Sequence, residues 1–370
     1  MSAARMEPAT TDRHTFMTRS HIVSMLNSNA SGSAAALPPG SERHELLDHP
    51  AMVSAARSCV FVKEVARSMG FPTRTICTAQ LLIHRAYIHR STPPVASSDL
   101  ATACLFVAAK MEETIKRLRD ILAHSYIQSL SQNGGTPVDA QSVPTTITDK
   151  MRPTVLAGEQ YIMDAIGFDF RTTHAHLLYV KLAKLAGVPR ANIAVDGWTI
   201  LSDSYFTTLP VQYSSLVTAA GALCLAWNLC GGPLHSGNTQ VFQSFSSGGG
   251  AKPSTVRRKA HDDLANRRGM SNGSESRRGG SVATPGQQRR RPTSLDLNAE
   301  WWLDFGVTTE DIQGFVRQIA DFYLLFFNST VASAEYIERH KNGLPSKDMS
   351  QKIGQWRMQL SSATVTPISP

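Results

Sequence analysis

Ten consecutive residues, Leu100 to Ala109 (LATACLFVAA), carry no charge, and only Thr102 among them is polar. A helix with apolar or small residues all round has no face to offer water, so other elements must enclose it. This segment therefore demands a domain built around it. Its start is marked by Ser97-Ser98-Asp99, short polar side chains suited to the unpaired N–H groups of a first turn. Its end is abrupt: Lys110, then Met111-Glu112-Glu113, then the basic residues Lys116, Arg117 and Arg119. A buried rod that surfaces at one lysine and two carboxylates is a candidate meeting point with a partner.

The flanking sequence supplies enclosing helices. Pro50 to Met69 carries Val53, Val60, Phe61, Val65 and Met69 at helical spacing and stops at Gly70. After Phe71-Pro72, Thr73 is the expected cap of a helix with Ile76, Ala79, Gln80, Ile83 and Tyr87 along one side. A short helix is expected from about Lys116 to Leu130, and a polar, Gly/Pro-dotted loop over 131–150. From Thr154 a further helix puts Val155, Ile162 and Ile166 on one stripe and ends at Gly167. Glu159 lies on that same stripe, and a carboxylate on an apolar face needs a partner because burying it unpaired is costly. Residues 169–173 connect to three more helical patterns, His176 to Ala186, Ile193 to Phe206 and Ser214 to Leu229. Thr308 with Asp311 opens a strongly apolar helix through Ile312, Phe315, Ile319, Phe322, Tyr323 and Phe326. No segment alternates as a strand would, so the fold class is all-α.

A chain of 370 residues with 42% hydrophobic content has room for two domains and tails. Residues 1–45, rich in Ser, Ala, Thr and Pro, are expected to be a disordered tail, and 329–370 a C-terminal tail. The stretch from Gly231 to Thr293 is low in large apolar residues and full of Ser, Gly and paired arginines. The net charge of +8 belongs to this stretch: between Ala251 and Arg291 eleven Lys/Arg face Asp262, Asp263 and Glu275, which leaves the rest of the chain at zero. Basicity confined to an insert does not describe a folded nucleic-acid surface. The cysteines Cys59, Cys77, Cys104, Cys224 and Cys230 lie in apolar helical segments without CxxC spacing, which fits buried thiols in a reducing compartment and gives no zinc site. No apolar run approaches the ~18 residues of a membrane span, and the first residues lack the apolar core of a signal peptide.

A weak internal repeat sharpens the picture. A shift of 118 residues lays Ala101, Leu105, Val107 and Ala108 on Ala219, Leu223, Leu225 and Ala226. Both copies follow a Pro-Val pair and a Ser pair, so one helical unit is used twice. Lys110 is matched by Asn228, and no acidic pair follows, so the charged cluster belongs to the first unit alone.

The stretches LIHRAYIH (82–89), DLATACLFVAAKMEET (99–114) and EQYIMDAIGFDF (159–170) resemble a cyclin box. His84-Arg85 is similar to the H-R-F of transcription-type cyclins, with Ala86 in place of the aromatic. Within that group FPTRTI (71–76), GFDFRT (167–172), WTILSDSY (198–205) and WWLDFGVTTEDI (301–312) resemble the cyclin (beta) subunit of fungal RNA polymerase II C-terminal-domain kinase, and cyclins K, T and L share several of them. The resemblance implies two tandem five-helix cyclin folds: a kinase-binding box over 46–173, and a second over 174–328 interrupted by a disordered Arg-rich insert at 231–297. Arg57 falls where cell-cycle cyclins keep the arginine of a substrate-docking patch, but Ser58, Cys59 and Lys63 (where a Trp is expected) do not keep that patch.

Each charged residue carries two readings. Lys110 alone is a cation at a helix C-terminus, favoured by the helix dipole. The resemblance instead implies that Lys110 and Glu159 hydrogen-bond backbone groups near a kinase C-helix, and Glu159 is also open to an internal ion pair. Glu112 and Glu113 read first as i,i+4 partners of Lys116 and Arg117 on a solvated face, with Glu113 also a candidate partner contact. The Arg-rich insert is a solvated linker, a nuclear localisation element through Arg257-Arg258-Lys259 and Arg289-Arg290-Arg291, or a weak electrostatic binder of nucleic acid. His174 and His176 lack the further ligands a metal site wants. There is no nucleophile elbow, phosphate loop or kinase D-F-G motif, so no catalysis and no cofactor is expected.

The resemblance thus implies a nuclear regulatory subunit that activates a transcriptional cyclin-dependent kinase acting on the RNA polymerase II tail, with a third (gamma) subunit as a further partner. The alternative is a nucleic-acid-bound scaffold like transcription factor IIB. Its zinc ribbon and basic cyclin folds are not matched by a chain with no cysteine before Cys59 and a neutral remainder.

Overall fold

The computed structural model describes residues 16–28, 45–135, 138–188, 191–230, 296–297, 300–326 and 347–363. Among the described residues there is no strand, and the fold is all-α. The first half contains α1 (Arg19–Ser28), α2 (Glu45–Asp48), α3 (Pro50–Ser68), α4 (Thr73–His89), α5 (Ser97–Met111), α6 (Leu118–Gln132) and α7 (Thr145–Ile166). The second contains α8 (Ala175–Leu185), α9 (Ala191–Ser204), α10 (Leu209–Gln212), α11 (Ser215–Leu229), α12 (Thr309–Phe326) and α13 (Lys347–Ala363).

Helix α5 sits at the centre of the first unit, enclosed by α3, α4, α6 and α7. From Leu100 to Ala109 every residue except Phe106 is buried, which is what an uncharged ten-residue run requires. The helix begins one residue earlier than its serines implied: Ala96 is the N-cap, and no side chain caps the first turn. The Ser97 hydroxyl is engaged elsewhere, accepting from the Tyr87 phenol at 3.0 Å. Thr73 likewise is the first helical residue of α4, behind an N-cap at Pro72 that has no side-chain bond. Helix α7 begins at Thr145 and runs through Pro153, so much of the expected loop is helical. Buried Val143 and Thr148 anchor its first turns.

The second unit repeats the plan. Helix α11 is its buried centre, packed by α8, α9, α12 and α13. Thr308 caps α12 as its sequence implied, accepting from the Asp311 N–H at 3.1 Å, and Ile312, Phe315, Ile319, Phe322 and Tyr323 are buried. The last described helix of this unit is α13, which brings Met349, Ile353 and Trp356 into the core from a segment expected to be tail. The N-terminal expectation also fails over Arg19–Ser28. Ile22 and Leu26 of α1 are fully buried beside α4, the Leu26 carbonyl accepts from Ser91 Oγ, and the Met17 N–H reaches Val211 O in the second unit. The Arg-rich insert, with its localisation and nucleic-acid readings, lies outside the described residues, except that Asp296 and Leu297 are placed before the Trp301–Phe305 turn.

A candidate partner-binding face on the first repeat

Two of the three candidate residues meet. Lys110, in the last turn of α5, places Nζ 2.5 Å from Glu159 Oε1 on α7 and 4.0 Å above the Phe106 ring. The carboxylate on the apolar stripe thus has its partner, and the partner is the lysine. The pair is formed where α5 and α7 cross closely, at Gly158, one residue before Glu159. A Cβ built there lies 2.9 Å from Ala103 Cβ, so the helices approach to the limit that a hydrogen side chain permits. Lys110 stays nearly half exposed, and its ammonium has three donors, of which Glu159 takes one. Asn228, at the repeat-equivalent position on α11, instead turns inward and donates to Cys224 O at 2.7 Å.

The ends of these two helices are unusual. Glu113 (φ +54°) and Phe168 (φ +58°) are the two non-glycine residues with positive φ among the described residues; Glu113 follows the C-terminus of α5, and Phe168 that of α7. Both close a helix-ending hydrogen-bond pattern, Thr114 N to Ala109 O beyond Glu113 and Phe168 N to Met163 O. Such left-handed positions favour glycine, so each costs about 1 kcal/mol. The chain around them exposes large apolar side chains: Ile115 at 74%, Phe168 at 69%, and also Phe170 and Leu156, which lies one turn before Glu159.

Glu112 does not belong to this face. Residues 112–117 are not helical, so no i,i+4 pairing with Lys116 forms, and Glu112 turns into the body of the protein. Its Oε1 accepts from Thr78 Oγ1 at 2.7 Å and from Thr172 Oγ1 at 3.4 Å, and His174 Nε2 lies 3.0 Å away. It therefore joins α4 to the linker that leads into the second unit. A second polar link has no sequence signal beyond an oddly placed lysine. Buried Lys63 sits 3.7 Å from Asp203 Oδ1 and 4.5 Å over the Phe206 ring, and Tyr323 OH donates to Asp203 Oδ2 at 2.7 Å. Burial pushes the Lys63 ammonium pKa down, and the Asp203 carboxylate opposes that. A third link is His84, whose Nε2 is 3.0 Å from Tyr205 O. No cluster of His, Cys, Asp or Glu suited to a metal occurs among the described residues.

The sequence profile described as the N-terminal domain of cyclin matches residues 41–171, the span that holds α2 to α7. Curated relatives include the CTD kinase subunit beta of Schizosaccharomyces pombe, 31% identical over 170 residues, covering 46% of this chain and 50% of that protein. Cyclin-T1-4 of Arabidopsis thaliana is 30% identical over 169 residues, covering 45% of this chain and 31% of the relative. The chain thus spans half or less of the length of these two relatives. A crystal structure of the yeast RNA polymerase II CTD kinase complex CTDK-1 contains a chain of similar fold, with TM-score 0.55 at 15% identity, over 96% of this chain and 86% of the other. The fold likeness extends past residues 41–171 over the second repeat. Lys110 and Glu159 both fall inside the matched span, the lysine nearly half exposed and the carboxylate mostly buried.

Proposed function

We propose that this protein is the regulatory cyclin subunit of a transcriptional cyclin-dependent kinase, with the Lys110–Glu159 face as its kinase-binding surface. The observation that carries the reading is the Lys110–Glu159 pair, its lysine half exposed and its carboxylate mostly buried, on helices that end at Glu113 and Phe168 in left-handed conformations within the span matched by the cyclin profile. The pair still has ammonium donors and carboxylate lone pairs to offer, which suits the unpaired backbone groups at a helix terminus of a partner. Leu156, Ile115, Phe168 and Phe170 supply the apolar contact that a polar pair alone lacks. Strained residues persist where function over-determines them, and both close the helices that carry the pair.

In this reading the face packs against the kinase C-helix and holds it inward. The kinase's own glutamate then pairs with its phosphate-binding lysine, and the activation loop stays open. The substrate would be the C-terminal tail of RNA polymerase II, by likeness to the relative named as a subunit of a CTD kinase. A nuclear setting and a third subunit belong to the same proposal. The test is affinity purification of the chain with its kinase, followed by an assay on a polymerase-tail peptide. The Lys110→Ala, Glu159→Ala double variant should keep its helical circular dichroism and lose kinase binding and activation. Full activity of that variant would sink the assignment.

A further inference from the structure

A second set of exposed apolar side chains lies on the other repeat, on helices α8 and α9. Helix α8 presents Leu177, Val180, Lys181 and Lys184 outward at i, i+3, i+4 and i+7, while Ala175, His176, Tyr179 and Leu182 face the core. Helix α9 presents Val195 and Trp198 one turn apart. Leu177 is 67% exposed and Val195 61%. The two helices are locked side by side: the Trp198 ring lies 4.6 Å from His176, and Tyr179 OH donates toward Ile193 O and Ala194 O across the close approach at Gly197. The surface is therefore rigid before anything binds it.

Its charge is of one sign. The acids of α9 are both committed elsewhere, Asp196 to Lys352 on α13 and Asp203 to Lys63 and Tyr323. Lys181 and Lys184 are exposed and form no ion pair with another described residue. We propose that this face, made of Leu177, Val180, Val195 and Trp198 with Lys181 and Lys184 at its edge, docks an acidic amphipathic helix of another polypeptide. Apolar anchors at i, i+3, i+4 and i+7 would lie along the aliphatic strip, and Asp or Glu on the flank would meet the lysines. An apolar patch rimmed by polar residues marks such sites, and a central tryptophan is a frequent anchor. Trp198 is the one aromatic ring of the face, and its indole is already packed against His176 and Tyr179, so the face lacks the succession of open rings on which a nucleic-acid strand stacks. The chain's own segment after Cys230 carries the net positive stretch 251–291, which the lysines repel.

The test uses the full chain and a fluorescein-labelled helical peptide with leucines at i, i+3, i+4 and i+7 and glutamates along both edges. A second peptide carries lysines in place of the glutamates. Anisotropy should show saturable binding of the acidic peptide, about tenfold tighter than the basic one. Leu177→Ser with Trp198→Ala should weaken it about tenfold or more, and Lys181→Glu with Lys184→Glu should reverse the preference between peptides. Leu177, Lys181 and Lys184 are exposed, so circular dichroism and kinase binding through Lys110 and Glu159 should not change in the lysine variant or in Leu177→Ser alone, which should also weaken the acidic peptide and so separates lost docking from lost Trp198–His176 packing. No binding, equal binding of both peptides, or insensitivity to the substitutions overturns the proposal. So does capture of a labelled oligonucleotide by this face, self-association abolished by Leu177→Ser, or peptide binding that emerges only after deletion of 231–295.

Discussion

At the scale of single residues, backbone strain and side-chain exposure coincide. Phe168 keeps a left-handed backbone conformation while leaving most of its ring in solvent, so it neither relaxes nor buries itself. If its ring serves a partner, Phe168→Gly should trade binding for stability. The free protein should gain about 1 kcal/mol in urea unfolding from relief of the left-handed position, while kinase affinity falls. A stability gain with unchanged affinity would assign the residue no part in the interface. Glu112 and Glu113 show how far residue identity alone can mislead. They are adjacent and chemically equal, yet one is interior and the other exposed. Their i,i+4 pairing assumed that the helix continued past Met111, and it does not. His84 belongs to this scale as well. Its Nε2 contacts the Tyr205 carbonyl, its Nδ1 is buried without a partner, and burial holds its pKa down at about 4. Because the folded pKa lies below the unfolded value of 6.5, the unfolded chain binds more protons between pH 6.5 and about 4. Stability should therefore fall as pH drops through that window, by at most about 1.4 kcal/mol per pH unit from this group. Urea midpoints at pH 7 and pH 5 should differ less in His84→Gln than in the parent protein.

At the scale of elements, periodicity made most helices legible, and their ends less so. The stripe Val155, Ile162, Ile166 located α7, and the charge on that stripe correctly demanded a partner, but not which one. Gly158 was not legible: inside a helical pattern a glycine looks only like a weakness, whereas here it sets the distance between α5 and α7. The sign of one substitution separates the two views. A helix glycine that merely lacks a side chain would gain about 1 kcal/mol on replacement by alanine. Gly158→Ala should instead lose about 1–3 kcal/mol by overpacking against Ala103, and it should weaken kinase binding by moving Glu159 away from Lys110. Thermal unfolding together with affinity measurement reads both effects. Helices α1 and α13 escaped sequence reasoning for another reason. Among the described side chains each buries two or three apolar residues, set among Ser, Arg and Asn in α1 and Lys, Gln and Ser in α13, a weak periodic signal outside the context of the core they join.

At the scale of the whole molecule, three polar links and one helix tie the repeats together. Lys63–Asp203, His84–Tyr205 and Glu112–His174 all join positions before the linker to positions within or just before the second repeat. Removing one partner of a buried pair such as Lys63–Asp203 typically costs about 3–5 kcal/mol, so the repeats have reason to stay together. Lys63 also shows how the chain departs from cell-cycle cyclins: the position where those place a tryptophan here carries a charge committed to the neighbouring repeat. Helix α1 adds a different kind of tie, because it is joined to the rest only through residues 29–44 yet fills the core with Ile22 and Leu26. In effect it is a ligand that the protein carries for itself, its binding intramolecular because it is part of the same chain. A protein begun at residue 41, where the cyclin profile begins, should therefore melt at lower temperature and expose a vacant apolar slot beside α4. Adding a synthetic peptide of residues 16–28 in trans should restore the melting temperature in a saturable way. The same peptide with Ile22→Ser and Leu26→Ser should not.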